Sequence, residues 1–262
     1  MDLRRIEAAL RGTVFEGKVH AFERVESTNA LAMQAAMENA TEGTLFVADA
    51  QTAGRGRGGH NWHSEAGTGL YLSFVLRPAK MTAQDGLWLS LAAGAAVHEG
   101  VRVATGISAD LRWPNDLLIG KKKFCGILIE QQSEGGDVRF AVVGIGINVN
   151  HPEFPPELQE IATSLRIAAS REVERTEILI EVLRAFDREY RRLLHPLRGG
   201  VGEELLQRLP RISTWICGKQ VHVHEEGGYS GITSGLDPRG FLLVETAQGT
   251  RTVLSGGVRE SL

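Results

Sequence analysis

The chain has 262 residues, 42% of them hydrophobic, which is enough for one large domain with a proper core and a small second unit. Its 29 Lys and Arg residues nearly balance 32 Asp and Glu residues, so the net charge of -3 gives no general attraction to nucleic acid, and any bound anion needs a local cluster. No run approaches the roughly 18 apolar residues of a membrane span, and the charged start MDLRRIEAALRG is unlike a signal peptide, so we expect a cytoplasmic protein without a membrane partner. The two cysteines, Cys125 and Cys217, lie in dissimilar surroundings and predict reduced thiols.

The first half of the chain predicts strands and helices in alternation. Good capping residues precede an alanine-rich run, which predicts a helix from about Thr28 to Asn39. Two apolar runs predict buried strands, from Gly43 to Gln51 and from Gly67 to Pro78. The segment from Gln84 to Thr105 is apolar nearly all round, which predicts a helix packed against the sheet.

The second half predicts a hairpin, a strand, a long helix and a small β domain. Two apolar segments flank GKKK, which predicts a β-hairpin with Gly120 in its turn, and Val138 to Asn150 predicts a further strand. An apolar stripe at i, i+3, i+4 spacing predicts a helix that ends before Pro196; it consists of Leu179, Val182, Leu183, Phe186, Tyr190, Leu193 and Leu194. After about Thr214, short β-like runs alternate with Gly-containing turns, so we expect one domain over residues 1–213 and a small all-β domain over 214–262.

The loop QTAGRGRGGHNWHS, residues 51–64, joins two predicted strands. Its GRGRGG run is compatible with a solvated linker, with an RGG-type nucleic-acid segment, and with a nest of N–H groups and guanidinium ions around a phosphate or carboxylate. The position between two core strands and the following HNWHS favour ligand binding, because ligands of α/β folds bind at the carboxyl edge of the sheet. The loop is neither a Walker A sequence nor a dinucleotide fingerprint.

Two charged groups border the predicted hairpin. RWPND, residues 112–116, is compatible with a plain strand end closed by a turn, but Asp116 is followed seven residues later by Lys123 across the hairpin, so an acid and a base could meet there. Lys121 and Lys122 fit an exposed hairpin tip. Lys123 directly precedes the apolar FCGILIE and is the lysine best placed to point into a site.

Three further polar features have a structural and a functional interpretation. Asn148 satisfies backbone groups at a strand end or faces a ligand. The hydroxyls at positions 27 and 28 cap a helix, whose N-terminus can also receive polar ligand atoms. His60 and His63 are the one close histidine pair near the candidate site, and no carboxylate accompanies them at metal-ligand spacing, so we expect no zinc.

Six motifs follow one another along the chain. They are ESTN at 26–29, QTAGRGRGG with Trp62 at 51–62, GLYLS at 69–73, RWPNDL at 112–117, KKFCGILIE at 122–130 and GIGINVN at 144–150. In this order they resemble the motifs of biotin protein ligases, and the resemblance extends from about Val25 to the C-terminus. Lipoate and octanoate ligases, which share the catalytic fold but not this Gly/Arg loop with Trp-Pro-Asn-Asp, are the alternative.

The resemblance implies an α+β fold, with a catalytic domain like that of class II aminoacyl-tRNA synthetases, in which helices pack on a mixed sheet, and a C-terminal barrel of the Src-homology-3 type. It implies that biotin reacts with ATP to give biotinyl-5′-AMP and pyrophosphate, and that biotin then passes to a lysine of a biotin carboxyl carrier protein. Mg²⁺ is expected to be held mainly by the phosphates of ATP, with no metal site formed by the protein. A homodimer is a state that some relatives adopt.

The resemblance also implies roles for individual residues. Arg57, Lys123 and Asp116 would be catalytic, with Asp116 the candidate for orienting and deprotonating the acceptor lysine. The residues expected at biotin are Ser27, Thr28, Asn29, Gln51, Arg55, Gly56, Arg57 and Lys123. Those expected at the nucleotide are Arg57, Trp62, Asn115 and Asn148.

Three departures from the family pattern stand out. Only about 25 residues precede ESTN, so we expect neither the N-terminal DNA-binding domain of the repressor-type relatives nor DNA binding. Arg112 stands where a lysine is usual, which keeps the charge but changes the geometry. Gly58 and Gly59 replace bulkier or basic residues, so we expect the loop to be less ordered without ligand.

Overall fold

The computed structural model describes residues 1–79, 81–196, 200–225, 227–254 and 257–261. A seven-stranded sheet, in the order β1-β2-β3-β7-β6-β5-β4, is parallel between β1 and β2 and antiparallel elsewhere. Its strands are β1 Val19–Val25, β2 Leu45–Gln51, β3 Gly69–Leu76, β4 Asp110–Arg112, β5 Asp116–Ile119, β6 Lys122–Glu134 and β7 Asp137–Asn148.

Six α-helices accompany the sheet. Within the described residues none of them is long and apolar enough to cross a membrane. The helices are α1 Leu3–Ala9, α2 Thr28–Met37, α3 Gly86–Thr105, α4 Leu165–Ala169, α5 Arg175–Leu194 and α6 Glu203–Arg208.

The two faces of the sheet are buried differently, and β3 shows this by its alternation. Leu70, Leu72 and Phe74 point into the main core, which they share with α3 and α5. Val75 packs on the other face, in a smaller cluster with Ala32 of α2. Because α2 is short, it covers only part of that face, and the strand ends beside its N-terminus are left for a site.

The C-terminal unit is a five-stranded antiparallel sheet in the order β11-β10-β9-β8-β12. Its apolar side chains, such as Val221 and Leu242, belong to the same continuous core as α3 and α5. The strands are β8 Cys217–Val223, β9 Tyr229–Leu236, β10 Leu242–Thr246, β11 Gly249–Val253 and β12 Val258–Glu260.

The expected α+β class is confirmed, and the predicted helices and strands are present with ends that differ by a few residues at most. The hairpin turn is at Gly120, whose φ of 60° suits glycine. The sequence did not predict α1, β1 or β4. β1 is an edge strand with five consecutive exposed residues, so it lacks the apolar alternation by which strands are recognised.

Candidate active site

A cleft of about 430 Å³, including its open mouth, lies over the strand ends beside the N-terminus of α2. The cleft is lined by Ser27, Thr28, Asn29, Gln51, Arg55, Gly56, Arg57, Trp62, Tyr71, Leu72, Ser73, Asn115, Lys123, Gly126, Ile127, Leu128, Gly144, Ile145 and Gly146.

The floor of the cleft is flat because glycines stand in register on the central strands. Gly146 of β7 lies opposite Gly126 of β6 and Tyr71 of β3, and Gly144 lies opposite Ser73 of β3. A side chain at Gly146 would displace the Trp62 ring, since its Cβ would lie 2.5 Å from that ring. The absence of side chains therefore lets an aromatic ring lie directly on the sheet.

One end of the cleft is a buried polar group at the N-terminus of α2. Gln51 Oε1 accepts from the Thr28 backbone N–H at 2.8 Å and from its hydroxyl at 3.1 Å, and Gln51 Nε2 donates to Ser64 Oγ at 3.0 Å. Ser27 caps the helix by accepting from the Ala30 N–H. These contacts fix the side chains before any ligand arrives.

Asn29 is fixed in one orientation by its two neighbours. Its Nδ2 donates to Glu130 Oε2 at 2.8 Å, and its Oδ1 accepts from Ser73 Oγ at 2.6 Å. The amide oxygen approaches the sheet so closely that a Cβ at Gly144 would lie 1.9 Å from it. Gly144 is thus required for the placement of Asn29.

The Gly/Arg loop is tied to the rest of the site at its start and its centre, and its two sides are bonded to each other. Ala53 N–H donates to Glu26 O at 2.9 Å, and Trp62 N–H donates to Gly54 O at 2.9 Å. At the centre, Arg57 Nη1 donates to Asn115 Oδ1 at 2.9 Å, and Asn115 is itself held by the Ile127 carbonyl. The loop therefore lies over the cleft, although many of its residues are exposed, and these bonds argue against a slack linker.

Trp62 and Lys123 lie together on the floor. Lys123 Nζ is 5.2 Å from the centroid of the indole, a cation–π distance. The indole Nε1 is buried and has no hydrogen-bond partner among the described residues. A buried donor of this kind is a natural contact for a ligand acceptor.

Asp116 is enclosed by two cations, one at each oxygen. Lys123 Nζ lies 2.5 Å from Oδ1, and Arg112 Nη2 lies 2.6 Å from Oδ2. Burial by itself would raise the pKa of this carboxyl, but the charges of Lys123 and Arg112 outweigh burial, and the pKa is lowered below its ordinary value of 3.8. Asp116 is therefore a carboxylate, and it pairs with Lys123, the one lysine among the described residues that line the cleft.

Comparison with known proteins agrees with this geometry. Residues 21–148 match the model of the biotin/lipoate A/B protein ligase family, and residues 216–258 match the biotin protein ligase C-terminal domain. The bifunctional ligase/repressor BirA of Bacillus subtilis is 40% identical over 89% of this chain and 71% of its own length. The biotin--[acetyl-CoA-carboxylase] ligase of Mycobacterium tuberculosis is 32% identical over 88% of this chain and 85% of its own. The chain belongs to the biotin protein ligase family.

A solved structure of this family supports the same assignment. The biotin protein ligase from Aquifex aeolicus, in complex with biotin and ATP, has a TM-score of 0.81 and 32% identity, and the match covers 94% of this chain and all of that one. The resemblance seen in the motifs is thus confirmed, and the biotin branch is favoured over the lipoate branch.

Most of the site residues that the motifs predict lie together in the cleft of this protein. Ten of them line the cleft: Ser27, Thr28, Asn29, Gln51, Arg55, Gly56, Arg57, Trp62, Asn115 and Lys123. Asp116 lies behind Lys123. Asn148 is buried at the end of β7, where its Nδ2 donates to Thr163 O at 3.2 Å, so it satisfies a backbone group and is not among the described residues that line the cleft.

Sequence reasoning missed several residues that shape this ligase-family cleft. Tyr71, Ser73 and Glu130 belong to the GLYLS and KKFCGILIE motifs, but no role was assigned to them. Their positions on one face of β3 and β6 could have been found from the period of two along a strand. The bond between Glu130 and Asn29 joins residues 101 positions apart and had no local signal.

A histidine cluster lies at the rim. The sequence paired His63 with His60, but the structure places His63, Glu65 and His151 so that one potential ligand atom of each lies within 4.8 Å of the others. His151 stacks on Phe154 with ring centroids 5.2 Å apart. Burial, and to a smaller extent His63, lowers the pKa of His151 to about 4. The expectation of no zinc stays a prediction.

Proposed function

We propose that this protein activates biotin with ATP, forming biotinyl-5′-AMP and pyrophosphate, and then transfers biotin to a lysine of a biotin carboxyl carrier protein. Family membership and the cleft support this proposal together. The observation that carries it is one cleft with a fixed polar end, a bare glycine floor and three cations, Arg55, Arg57 and Lys123.

The cations suit the first step. Both reactants, the carboxylate of biotin and the α-phosphate of ATP, are anionic, so their repulsion and their positioning set most of the barrier. Arg55 and Arg57 approach from the loop and Lys123 from the sheet. Cations placed on two sides would neutralise the charge where the carboxylate oxygen attacks phosphorus.

The polar end suits the ring of biotin, which carries both hydrogen-bond donors and an acceptor. We assign Ser27, Thr28, Asn29 and Gln51 to it, because they are buried or half-buried and already fixed by their neighbours. A lipoyl or octanoyl group offers these groups no partner, and buried polar groups left unpaired cost binding energy. This difference supports biotin over the alternative substrates.

The nucleotide is assigned to the glycine floor. Trp62 lies there with an indole N–H that has no partner among the described residues, Asn115 is at the turn, and Asn148 would act indirectly by holding the Thr163 carbonyl. Mg²⁺ would be held mainly by the phosphates, since none of the described residues lining the cleft is an acid and Asp116 is engaged by two cations. When bound, the ion would neutralise phosphate charge.

Asp116 is assigned to the second step. The acceptor lysine arrives as an ammonium ion, and a carboxylate beside Lys123 would attract and orient it. A carboxyl whose pKa is lowered is a weak base toward an ammonium whose pKa is about 10.4, so orientation is favoured over deprotonation by Asp116.

We further infer that residues 1–213 form the catalytic domain and 214–262 the small domain, and that the protein acts in the cytoplasm.

Exchange of labelled pyrophosphate into ATP tests the proposal most directly. We expect exchange that requires biotin and Mg²⁺, followed by transfer of labelled biotin to a carrier domain. Exchange stimulated by octanoate or lipoate and not by biotin would establish the sister activity. Soluble, folded protein without any biotin-dependent exchange would refute the proposal.

A further inference from the structure

Arg112 stands between the candidate active site and the C-terminal unit. On one side its guanidinium contacts the carboxylate of Asp116 at 2.6 Å. On the other side its Cζ lies 5.5 Å from the centroid of the Trp215 indole. Only 13% of the Arg112 side chain is exposed, and Trp215 is 5% exposed, so water screens neither contact strongly.

Trp215 is held in place by the segment that leads into β8. Ile212 O accepts from the Leu111 N–H at 2.9 Å, and Ser213 Oγ donates to Leu111 O at 2.6 Å. Thr214 donates through its N–H and its hydroxyl to the carboxylate of Asp110. The chain that enters the C-terminal sheet is thus paired with β4, the strand that ends at Arg112.

A second contact joins the C-terminal sheet to the same turn. Trp113 Nε1 donates at 2.9 Å to the carbonyl of Gly240, which lies between β9 and β10. Gly240 has a φ of 87°, and a Cβ there would lie 3.1 Å from Trp88 of α3. Both residues before the Pro-Asn-Asp turn are therefore fixed by the C-terminal unit, Arg112 through a ring and Trp113 through a carbonyl.

We propose that Arg112 is a positioning residue through which the C-terminal sheet, by way of Trp215, holds the Asp116 carboxylate in place for transfer of biotin to the acceptor lysine. This inference rests on the proposed function and adds a role for the C-terminal sheet in the second step. Arg112 itself does not line the cleft among the described residues.

The chemistry of the side chain explains why arginine suits this place. A planar guanidinium can stack on an indole and donate to a carboxylate at the same time, whereas an ammonium is a compact point charge. The charged or titratable groups that face Asp116 are Arg112 from β4 and Lys123 and Cys125 from β6. Without Arg112, Asp116 keeps one cation in place of two and is no longer fixed at Oδ2.

The experiment separates the two steps in the full-length protein. Arg112→Gln removes the charge, Arg112→Lys keeps it, and Trp215→Phe keeps a ring while weakening the contact. Arg102→Met is the matched control, because Arg102 forms an exposed ion pair with Glu99 on α3. Adenylation is measured by biotin-dependent pyrophosphate exchange, and transfer by single turnover of purified biotinyl-5′-AMP with a carrier domain across a range of pH.

For Arg112→Gln we expect biotin transfer to slow by about tenfold or more, which corresponds to a rise of roughly 1.4 kcal/mol in the activation free energy. Pyrophosphate exchange should change by less than about threefold. The acid limb of the transfer profile should move to higher pH, because a carboxylate with one cation protonates more readily. Arg112→Lys should restore the position of that limb, Trp215→Phe should move it in the same direction by less, and Arg102→Met should match the parent.

The inference would be overturned if Arg112→Gln slowed pyrophosphate exchange and biotin transfer equally and left the acid limb of the transfer profile in place. It would also be overturned if Arg112→Gln behaved like the parent protein. If Arg112→Gln does not fold, Trp215→Phe decides: an unchanged pH profile overturns the inference, and a shifted one supports it. A parent protein without biotin-dependent exchange refutes the proposed function as well. Active parent protein with unaffected variants refutes this inference alone.

Discussion

Arg57 of the Gly/Arg loop donates from Nη1 to Asn115 Oδ1 at 2.9 Å, which joins two motifs 58 residues apart. Asn115 is fixed in turn, because its Nδ2 donates to Ile127 O and its own carbonyl accepts from the Ile127 N–H. At its centre the loop is therefore fastened to the Pro-Asn-Asp turn through a neutral acceptor. An anion in the cleft would offer the guanidinium a stronger, charge-assisted partner.

Arg57→Met should reduce biotin-dependent pyrophosphate exchange by about a hundredfold, since one charged contact to the transition state is worth on the order of 3 kcal/mol. Arg139→Met, at an exposed arginine of β7, is the matched control and should leave exchange unchanged. A loss of less than about threefold in the Arg57 variant would contradict the role assigned to this guanidinium.

Biotinyl-5′-AMP should protect the loop from trypsin. Arg55 and Arg57 are exposed, and Gly58 and Gly59 have no side chains to restrict the backbone, so cleavage after these arginines should be rapid in the ligand-free protein. Cleavage after the exposed Arg171 serves as an internal reference, read by mass spectrometry of timed digests. Equal rates with and without the adenylate would show that ligand does not order the loop.

Gly144→Ala should weaken biotin binding selectively. The new Cβ would lie 1.9 Å from Asn29 Oδ1, so Asn29 must leave its place and lose its bond to Glu130. We expect the KM for biotin to rise by about tenfold or more, the effect of losing one to two hydrogen bonds, with a smaller change for ATP. Gly200→Ala is the control, because no atom of the described residues lies within 4 Å of the Cβ position there. A parallel rise for both substrates would point to general damage to the sheet.

His151 should make the protein less stable as the pH falls below about 6.5. Its folded-state pKa is lowered to about 4, so between pH 6.5 and 4 the unfolded chain binds the proton more readily and the free energy of unfolding declines as the pH drops. The contribution of this group amounts to about 3 kcal/mol across that interval, from 1.36 kcal/mol per pKa unit. His151→Gln should flatten the decline in urea unfolding measured at several pH values, whereas the exposed His60→Gln should not. An equally steep decline in His151→Gln would contradict this origin.

The elements of the fold could be predicted wherever one face of an element is buried. The i, i+3, i+4 stripe of α5 and the apolar run of β3 are local signals, and both elements are present. β1 could not be found in this way, because it pairs with β2 on one side only and five of its seven residues are exposed, so burial imposes no regular apolar pattern on it. Its strand form comes from hydrogen bonds to a neighbour that lies 26 residues away in the chain.

The candidate site was predictable in its residue types and less so in its contacts. Lys123 was singled out because it begins an apolar strand, and it does line the cleft beside Asp116. Nothing local indicated that Asn29 would meet Glu130, or that Arg112 would lie between Asp116 and Trp215. Such contacts depend on the register of β6 against β7 and on where the C-terminal sheet docks.

By itself, the sequence determined the local chemistry of this protein: a capped helix, a glycine-rich loop with two arginines, a Pro-Asn-Asp turn and a lysine at the start of a strand. These follow from spacing and residue type, because capping, turn formation and side-chain alternation act over a few residues. Only the tertiary structure decided that Gly144 makes room for Asn29, and that Arg112 joins Asp116 to Trp215. Both relationships depend on the distances between elements remote in the chain, which are set by strand register and by the packing of one shared core.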